Sequence, residues 1–140
     1  MIKVRAALLF LCAILCAACG AAGQGIYWSD GDSGRLPDGT KFRLFSVDAP
    51  ETGGVGSRYG AKCEAERELG YEAKAVAVEF TRGKAITWEL IGHQTWGRET
   101  VRLFADGEDV GAWVVANGPA KRWRHTPGGK AIEDRPEWCG

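Results

Sequence analysis

Apolar residues recur along the middle of the chain with the period of an amphipathic helix, which predicts a helix over residues 60–80. The apolar positions lie three or four residues apart, at Ala65, Leu69, Ala73, Val76 and Phe80. Gly70 interrupts this helix at a cost of about 1 kcal/mol relative to alanine, and Gly83 stands where the helix would end. A shorter helix is predicted over residues 110–117, because a Gly-Pro pair follows it.

Short segments rich in alternating or β-branched residues predict strands on both sides of the long helix. They cover residues 25–28, 41–47, 84–91 and 100–105, with turns at 36–39 and 106–107 and a glycine-rich loop at 51–59. In the second of these strands, Phe42 and Leu44 would face the core and Arg43 the ligand side. With no internal repeat, periodicity by itself predicts a small α+β domain.

A length of 140 residues allows one domain. Residues 1–23 place two basic residues before a short apolar run that ends in small residues, which is the pattern of an export signal. The domain would then occupy residues 24–140 and be periplasmic, secreted or anchored to the envelope. An uncleaved N-terminal anchor is one alternative, and lipid attachment at Cys19, which follows two alanines, is another.

Of the five cysteines, Cys12, Cys16 and Cys19 lie in or beside the export segment, which leaves Cys63 and Cys139 in the domain. In an oxidising compartment, two remaining cysteines most simply form one disulfide. Chain-entropy models give such a long loop about 4 kcal/mol of stabilisation. The bridge would pin the C-terminal tail across the start of the long helix. Its reduction is expected to loosen the tail and lower stability, while the site around Asp32 and Asp48, described next, survives. Two free buried thiols are the alternative.

Carboxylates and an arginine crowd into one span of the chain, with Asp30, Asp32, Arg43, Asp48 and Glu51 in that order. Hard oxygen ligands of this kind suit Ca²⁺, and a guanidinium among them suits a phosphate group. The span therefore predicts a calcium-assisted site for a phosphate ester. The alternative is that DGD and PDG are turn formers whose acidic side chains are merely solvated.

Three sequence blocks, in order, resemble the staphylococcal-nuclease-like (thermonuclease) family from about Gly25 to about Lys121. The first is the DGDS turn at residues 30–33. The second reads FRLxxVDxPE, and the third is a YGR-type segment. The matching residues of the last two blocks are Phe42, Arg43, Leu44, Val47, Asp48, Pro50, Glu51, Trp96, Gly97 and Arg98.

The resemblance implies a mainly β, α+β architecture, a five-stranded OB-fold barrel with attached helices and a C-terminal helix that is shortened or absent here. It implies a calcium-dependent endonuclease that cleaves DNA and RNA to 3′-phosphate products. Asp32, Asp48 and the backbone carbonyl of Ala49 would bind Ca²⁺. Glu51 would be the catalytic carboxylate, and Arg43 and Arg98 would hold the phosphate.

Aromatic residues near these blocks are candidates for contacts with bases, since stacking tolerates any base. Trp96, Trp123 and Trp138 are the candidates, and core or edge packing is the alternative for Trp123 and Trp138. Basic and acidic side chains number 18 each, so binding to nucleic acid is expected to be local, and the protein to be a monomer.

Two other functions fit parts of the same sequence. A non-catalytic OB-type module that binds nucleic acid or a saccharide would not need Glu51 or both arginines, and all of them are present. A structural envelope lipoprotein would rest on the lipid-attachment signal at Cys19 alone.

Overall fold

A computed structural model describes residues 25–140. The predicted export signal and the lipid-attachment position at Cys19 lie outside the described residues. In the described part of the chain, no helix is both long enough and apolar enough to cross a membrane.

The domain is α+β, as the sequence predicts, with eight short or medium strands and two helices in residues 25–140. The strands are β1 (Tyr27–Trp28), β2 (Ser33–Arg35), β3 (Lys41–Leu44), β4 (Val47–Asp48), β5 (Ile86–Thr95), β6 (Arg98–Ala105), β7 (Glu108–Asp109) and β8 (Lys121–Arg122). The helices are α1 (Glu64–Thr81) and α2 (Val110–Asn117). No helix follows α2 within the described residues, which agrees with the expected loss or shortening of a C-terminal helix.

The main sheet has the strand order β1-β2-β3-β6-β5, and β7 pairs with β6. Only β3 and β6 are parallel within these pairings. A separate antiparallel pair joins β4 to β8. Across residues 25–140, the strand order runs from one edge to the other without closing into a barrel.

A two-residue turn at Trp96 and Gly97 joins β5 and β6 into the longest hairpin. Both residues have positive φ, 53° and 71°, as a turn that matches the twist of the two strands requires. The strands are longer than predicted, because β5 continues past a register shift between Leu90 and Gln94. This shift is a bulge around Gly92, whose φ is 89°. The hairpin thereby carries Arg98 next to β3.

Helix α1 begins later than predicted, and its buried face is only partly the predicted one, because Ala73 and Phe80 are buried as predicted. Cys63 caps its N-terminus, and Ala65, predicted to face the core, is exposed. The buried residues of the helix are Glu66, Gly70, Ala73, Ala77, Phe80 and Thr81. The cause is a close approach of backbones, since a Cβ at Gly70 would lie 2.5 Å from the carbonyl oxygen of Glu51. Gly70 is therefore a contact point and not only a helix interruption.

The apolar core lies between the main sheet and the two helices. Phe42 and Leu44 of β3 point into it, as predicted, together with Val101 of β6 and Val114 of α2. At the far end of α1, the ring of Phe80 stacks on Trp113 with centroids 4.3 Å apart. This packing fixes one face of β3, so that the side chain of Arg43 lies on the other.

The predicted disulfide between Cys63 and Cys139 is present, with Cα atoms 6.1 Å apart. After β8, the chain makes a small antiparallel bridge between His125 and Ala131 and then returns to the start of α1. The disulfide therefore joins Cys139, near the end of the chain, to Cys63, the residue that caps this helix.

Candidate active site

The DGDS turn is shaped by Asp30. Its Oδ1 accepts hydrogen bonds from the backbone N–H groups of Asp32 and Ser33, at 3.0 and 2.9 Å, and from the Ser33 hydroxyl at 2.9 Å. Burial, followed by the neighbouring charge of Asp32, raises the pKa of Asp30 to about 7. Asp30 thus folds the turn and directs Asp32, which matches the structural interpretation of this residue.

Asp32 is almost fully buried and joins the turn to the end of β4. Its Oδ2 accepts from the Ala49 backbone N–H at 2.8 Å, and its Oδ1 accepts from the Ser33 hydroxyl at 2.9 Å. The neighbouring glycine allows this approach, because a Cβ at Gly31 would lie 2.6 Å from the Cβ of Ala73 and 2.9 Å from that of Ala49. Two segments that were predicted to share a site are therefore in direct contact.

Arg43 lies between the two predicted metal ligands. Its Nη2 is 3.4 Å from Oδ1 of Asp48 and 3.8 Å from Oδ2 of Asp32. Its strand neighbours are Ser33 of β2 and Thr100 of β6. The three side chains share one face of the sheet, since paired residues lie on the same side.

Glu51 follows β4 and is held by helix α1. The buried carboxylate of Glu66 accepts hydrogen bonds from the backbone N–H of Glu51 at 3.4 Å and of Lys62 at 2.7 Å. Burial raises the pKa of the Glu51 carboxyl, and its hydrogen bond with Arg135 opposes this shift. A carboxylate with a raised pKa is a better proton acceptor than an ordinary one near neutral pH.

Arg98 reaches the same region from the β5–β6 hairpin. Its Nη1 donates to the Ser33 hydroxyl at 3.3 Å, and its Nε donates to the Thr95 carbonyl at 3.3 Å. The two arginines predicted to hold phosphate thus contact adjacent residues of the DGDS turn, Arg43 at Asp32 and Arg98 at Ser33. Trp96, at the tip of the hairpin, is 83% exposed.

These elements line a cleft of about 1040 Å³, whose walls include Asp32, Arg43, Glu51 and Arg98, with Trp96 and Trp123. Thr100 also lines it. Among the described residues, the buried Thr100 Oγ1 has no hydrogen-bond partner. A buried hydroxyl without a partner costs free energy, so Thr100 is an energetically unfavourable position in the wall of the cleft.

Asp48 does not line the cleft, because the C-terminal tail covers it. The side chain is fully buried. Trp138 Nε1 donates to its Oδ2 at 3.0 Å, and Arg135 Nε donates to its Oδ1 at 3.0 Å. Burial raises the pKa of Asp48, and these two residues oppose the shift. Arg135 Nη2 also donates to Glu51 Oε1 at 3.0 Å.

The sequence interpretation missed Arg135 and considered Trp138 only for stacking on bases or for packing. Survival of the site around Asp32 and Asp48 after reduction of the disulfide stays a prediction, and the contacts of the tail with Asp48 and Glu51 bear directly on it. A signal was available, because the predicted bridge places the residues before Cys139 close to the start of α1.

Trp123 lines the cleft with the guanidinium carbons of Arg43 and Arg135 at 5.7 and 5.5 Å from its ring centroid.

The donors at this site suit Ca²⁺ in their chemistry. Within residues 25–140, no group of three His, Cys, Asp or Glu side chains is arranged to hold a metal ion. The predicted set needs only two carboxylates, Asp32 and Asp48, with the carbonyl of Ala49, and Ca²⁺ accepts water for the remaining positions. Each carboxylate oxygen has two acceptor positions. Arg43 and Arg135 occupy both positions of Asp48 Oδ1, so a cation would bind the remaining position of Oδ2, beside Trp138.

Comparison of the sequence with protein-family models and with curated proteins found no match.

Proposed function

We propose that this protein is an exported, calcium-dependent endonuclease that hydrolyses phosphodiester bonds of DNA and RNA and leaves 3′-phosphate products. One observation carries the proposal. A single guanidinium nitrogen of Arg43 lies 3.4 Å from Asp48 and 3.8 Å from Asp32, in a cleft that Glu51 and Arg98 also line. Carboxylates that can hold a cation and arginines that can donate to phosphate oxygens suit cleavage of a phosphate diester.

The fold part of the proposal is an OB-type domain of the staphylococcal-nuclease-like family. The small sheet with one parallel pairing, the long helix after the FRLxxVDxPE segment and the short helix α2 support it. The three sequence blocks support it as well, since the structure brings Asp32, Asp48 and Arg98 into one region. The protein is expected to act as a monomer.

Ca²⁺ bound by Asp32, Asp48 and the Ala49 carbonyl would supply positive charge to the non-bridging oxygens of the scissile phosphate. Glu51 orients a water molecule and accepts its proton as the water attacks phosphorus. The bond from phosphorus to the 5′ oxygen breaks, and the phosphate stays on the 3′ side. Arg43 and Arg98 donate hydrogen bonds to the charge that builds up on the phosphate oxygens.

A second candidate is a non-catalytic module that binds nucleic acid or a saccharide through the same cleft. The observation that favours it is the ion pair of Arg135 with Glu51, at 3.0 Å, which engages the carboxylate assigned to the water molecule. An exposed tryptophan at the hairpin tip would serve either function.

Cleavage of single-stranded DNA by the purified protein, with Ca²⁺ or with EGTA, tests the proposal. We expect degradation with Ca²⁺ and none with EGTA, with 3′-phosphate ends identified by their resistance to extension until a phosphatase removes them. Equal cleavage in EGTA, with no other divalent ion present, would reject the metal assignment. Binding of the DNA without cleavage in any divalent ion would favour the binding module.

A further inference from the structure

We propose that the C-terminal tail, residues 133–139, is part of the active site, where Arg135 and Trp138 are positioning residues for Asp48 and Glu51. This inference rests on the proposed nuclease function. Neither residue belongs to the three sequence blocks, and the disulfide at Cys139 holds both in place.

Asp48 depends on the tail for hydrogen bonds to both of its carboxylate oxygens. This carboxylate is fully buried, and a buried charge is costly unless it is paired and hydrogen-bonded. The tail supplies a donor to each oxygen, Trp138 to Oδ2 and Arg135 to Oδ1, both at 3.0 Å. Arg43 is the other cation nearby, and its distance to Oδ1 is longer, at 3.4 Å.

Arg135 forms ion pairs with both Asp48 and Glu51. Nη2 of Arg135 lies 3.0 Å from Oδ1 of Asp48 and 3.0 Å from Oε1 of Glu51. Since a guanidinium is planar and rigid, one arginine that binds both groups restricts the distance between them. Arg135 therefore orients the proposed proton acceptor relative to a proposed metal ligand.

The tail itself is attached to the domain through the disulfide and through Lys121. Trp138 lies next to Cys139, which is bonded to Cys63 at the start of α1. Lys121 of β8 contacts the tail twice, with Nζ 4.3 Å from the centroid of the Trp138 ring and 3.2 Å from the carbonyl oxygen of Glu137. The tail is thus bound to the helix that holds Glu51 and to the strand that pairs with β4.

These contacts are compatible with a bound cation. Carboxylates that bind metals are normally hydrogen-bonded by neighbouring groups, and loss of such a neighbour costs about 10- to 100-fold in metal affinity or activity. Trp138 and Arg135 have this relation to Asp48. Two rival roles make different predictions: a purely structural clip, or an internal cation that competes with Ca²⁺ through Arg135.

Three single substitutions separate these roles. Trp138→Phe keeps an aromatic ring for Lys121 and removes only the donor to Asp48. Arg135→Gln removes the positive charge and the ion pairs with Asp48 and Glu51. Arg135→Lys restores the charge but not the planar guanidinium that contacts both carboxylates. Trp113→Phe is the matched control for loss of an indole in the core, and Arg82→Gln is the control for loss of an exposed ion pair, here with Glu79.

The measurements are Ca²⁺ affinity by titration calorimetry, thermal unfolding without Ca²⁺, and kcat and KM on single-stranded DNA. We expect Trp138→Phe and Arg135→Gln to lower Ca²⁺ affinity or kcat by about 10- to 100-fold. Their unfolding temperatures should fall below those of their controls, because each variant leaves the buried Asp48 short of a donor. Arg135→Lys should restore only part of the loss. Reduction of the disulfide in the wild-type protein should also lower kcat, as the tail substitutions do.

The outcomes that overturn the inference are distinct. Wild-type affinity and kcat in both variants would make the tail a structural clip. Higher Ca²⁺ affinity in Arg135→Gln would make Arg135 a competitor of the cation. Both of these results leave the nuclease proposal standing. A wild-type protein that neither binds Ca²⁺ nor cleaves nucleic acid would end the nuclease proposal and, with it, the role of the tail.

Discussion

The indole N–H of Trp138 donates to the carboxylate of Asp48 at 3.0 Å, between residues 90 positions apart in the chain. One belongs to the sequence block that carries the proposed metal ligands, and the other lies two residues from the end of the protein. Because Asp48 is fully buried, this contact makes the end of the chain part of the environment of the site. The predictions below distinguish the groups that act on substrate from those that only support the fold.

Glu51→Gln should lower kcat by about 10²- to 10⁴-fold, because the amide cannot accept the proton of the attacking water. Ca²⁺ affinity and nucleotide affinity should stay close to those of the wild type, since Glu51 is not among the proposed metal ligands. Steady-state kinetics and calorimetry measure the two effects. Glu72→Gln, at an exposed position of α1, is the matched control and should leave both unchanged.

Arg98→Ala should reduce kcat by about 10²- to 10³-fold, the usual cost of removing one donor to the transition state. The thermal stability should change little, because the contacts of Arg98 with Ser33 and the Thr95 carbonyl are both long, at 3.3 Å. Arg102→Ala, at an exposed position of the same strand, controls for the loss of a positive charge. Wild-type turnover in both Arg98→Ala and Glu51→Gln would place catalysis elsewhere.

Thr100→Val should leave stability unchanged or raise it slightly, because it removes a buried hydroxyl that has no partner among the described residues. If this hydroxyl binds substrate or an ordered water, KM should rise at the same time. Thermal unfolding and KM on single-stranded DNA, measured side by side, test this. A loss of stability with unchanged KM would show that the hydroxyl serves the fold.

Replacement of Cys63 and Cys139 by serine should lower the free energy of unfolding by about 2–4 kcal/mol, because the open chain regains entropy in the unfolded state. Denaturant unfolding measures this difference. Intact mass of the natively folded protein under non-reducing conditions checks the bond, and two thiols that react with an alkylating agent would contradict the bridge.

The fold class and the long helix follow from local patterns, and so do the turns around glycine and proline. These features depend on residues close together in sequence, such as Phe42 and Leu44 against Arg43, so their signal is present in a short window. The face of α1 was harder to predict. Gly70 is buried because the Glu51 backbone approaches it, and that approach is a contact between distant segments.

The same distinction between local patterns and contacts of distant segments applies to the candidate site. The sequence by itself determined which residues are proposed to carry the chemistry, since Asp32, Arg43, Asp48, Glu51 and Arg98 stand in ordered blocks, and it determined which two cysteines were left to pair. Only the tertiary structure decided that Asp48 is closed off from the cleft and that Arg135 and Trp138 contact it. The physical reason is that the route of the tail depends on the β4–β8 pairing and on the disulfide acting together, and no local pattern of residues records that route.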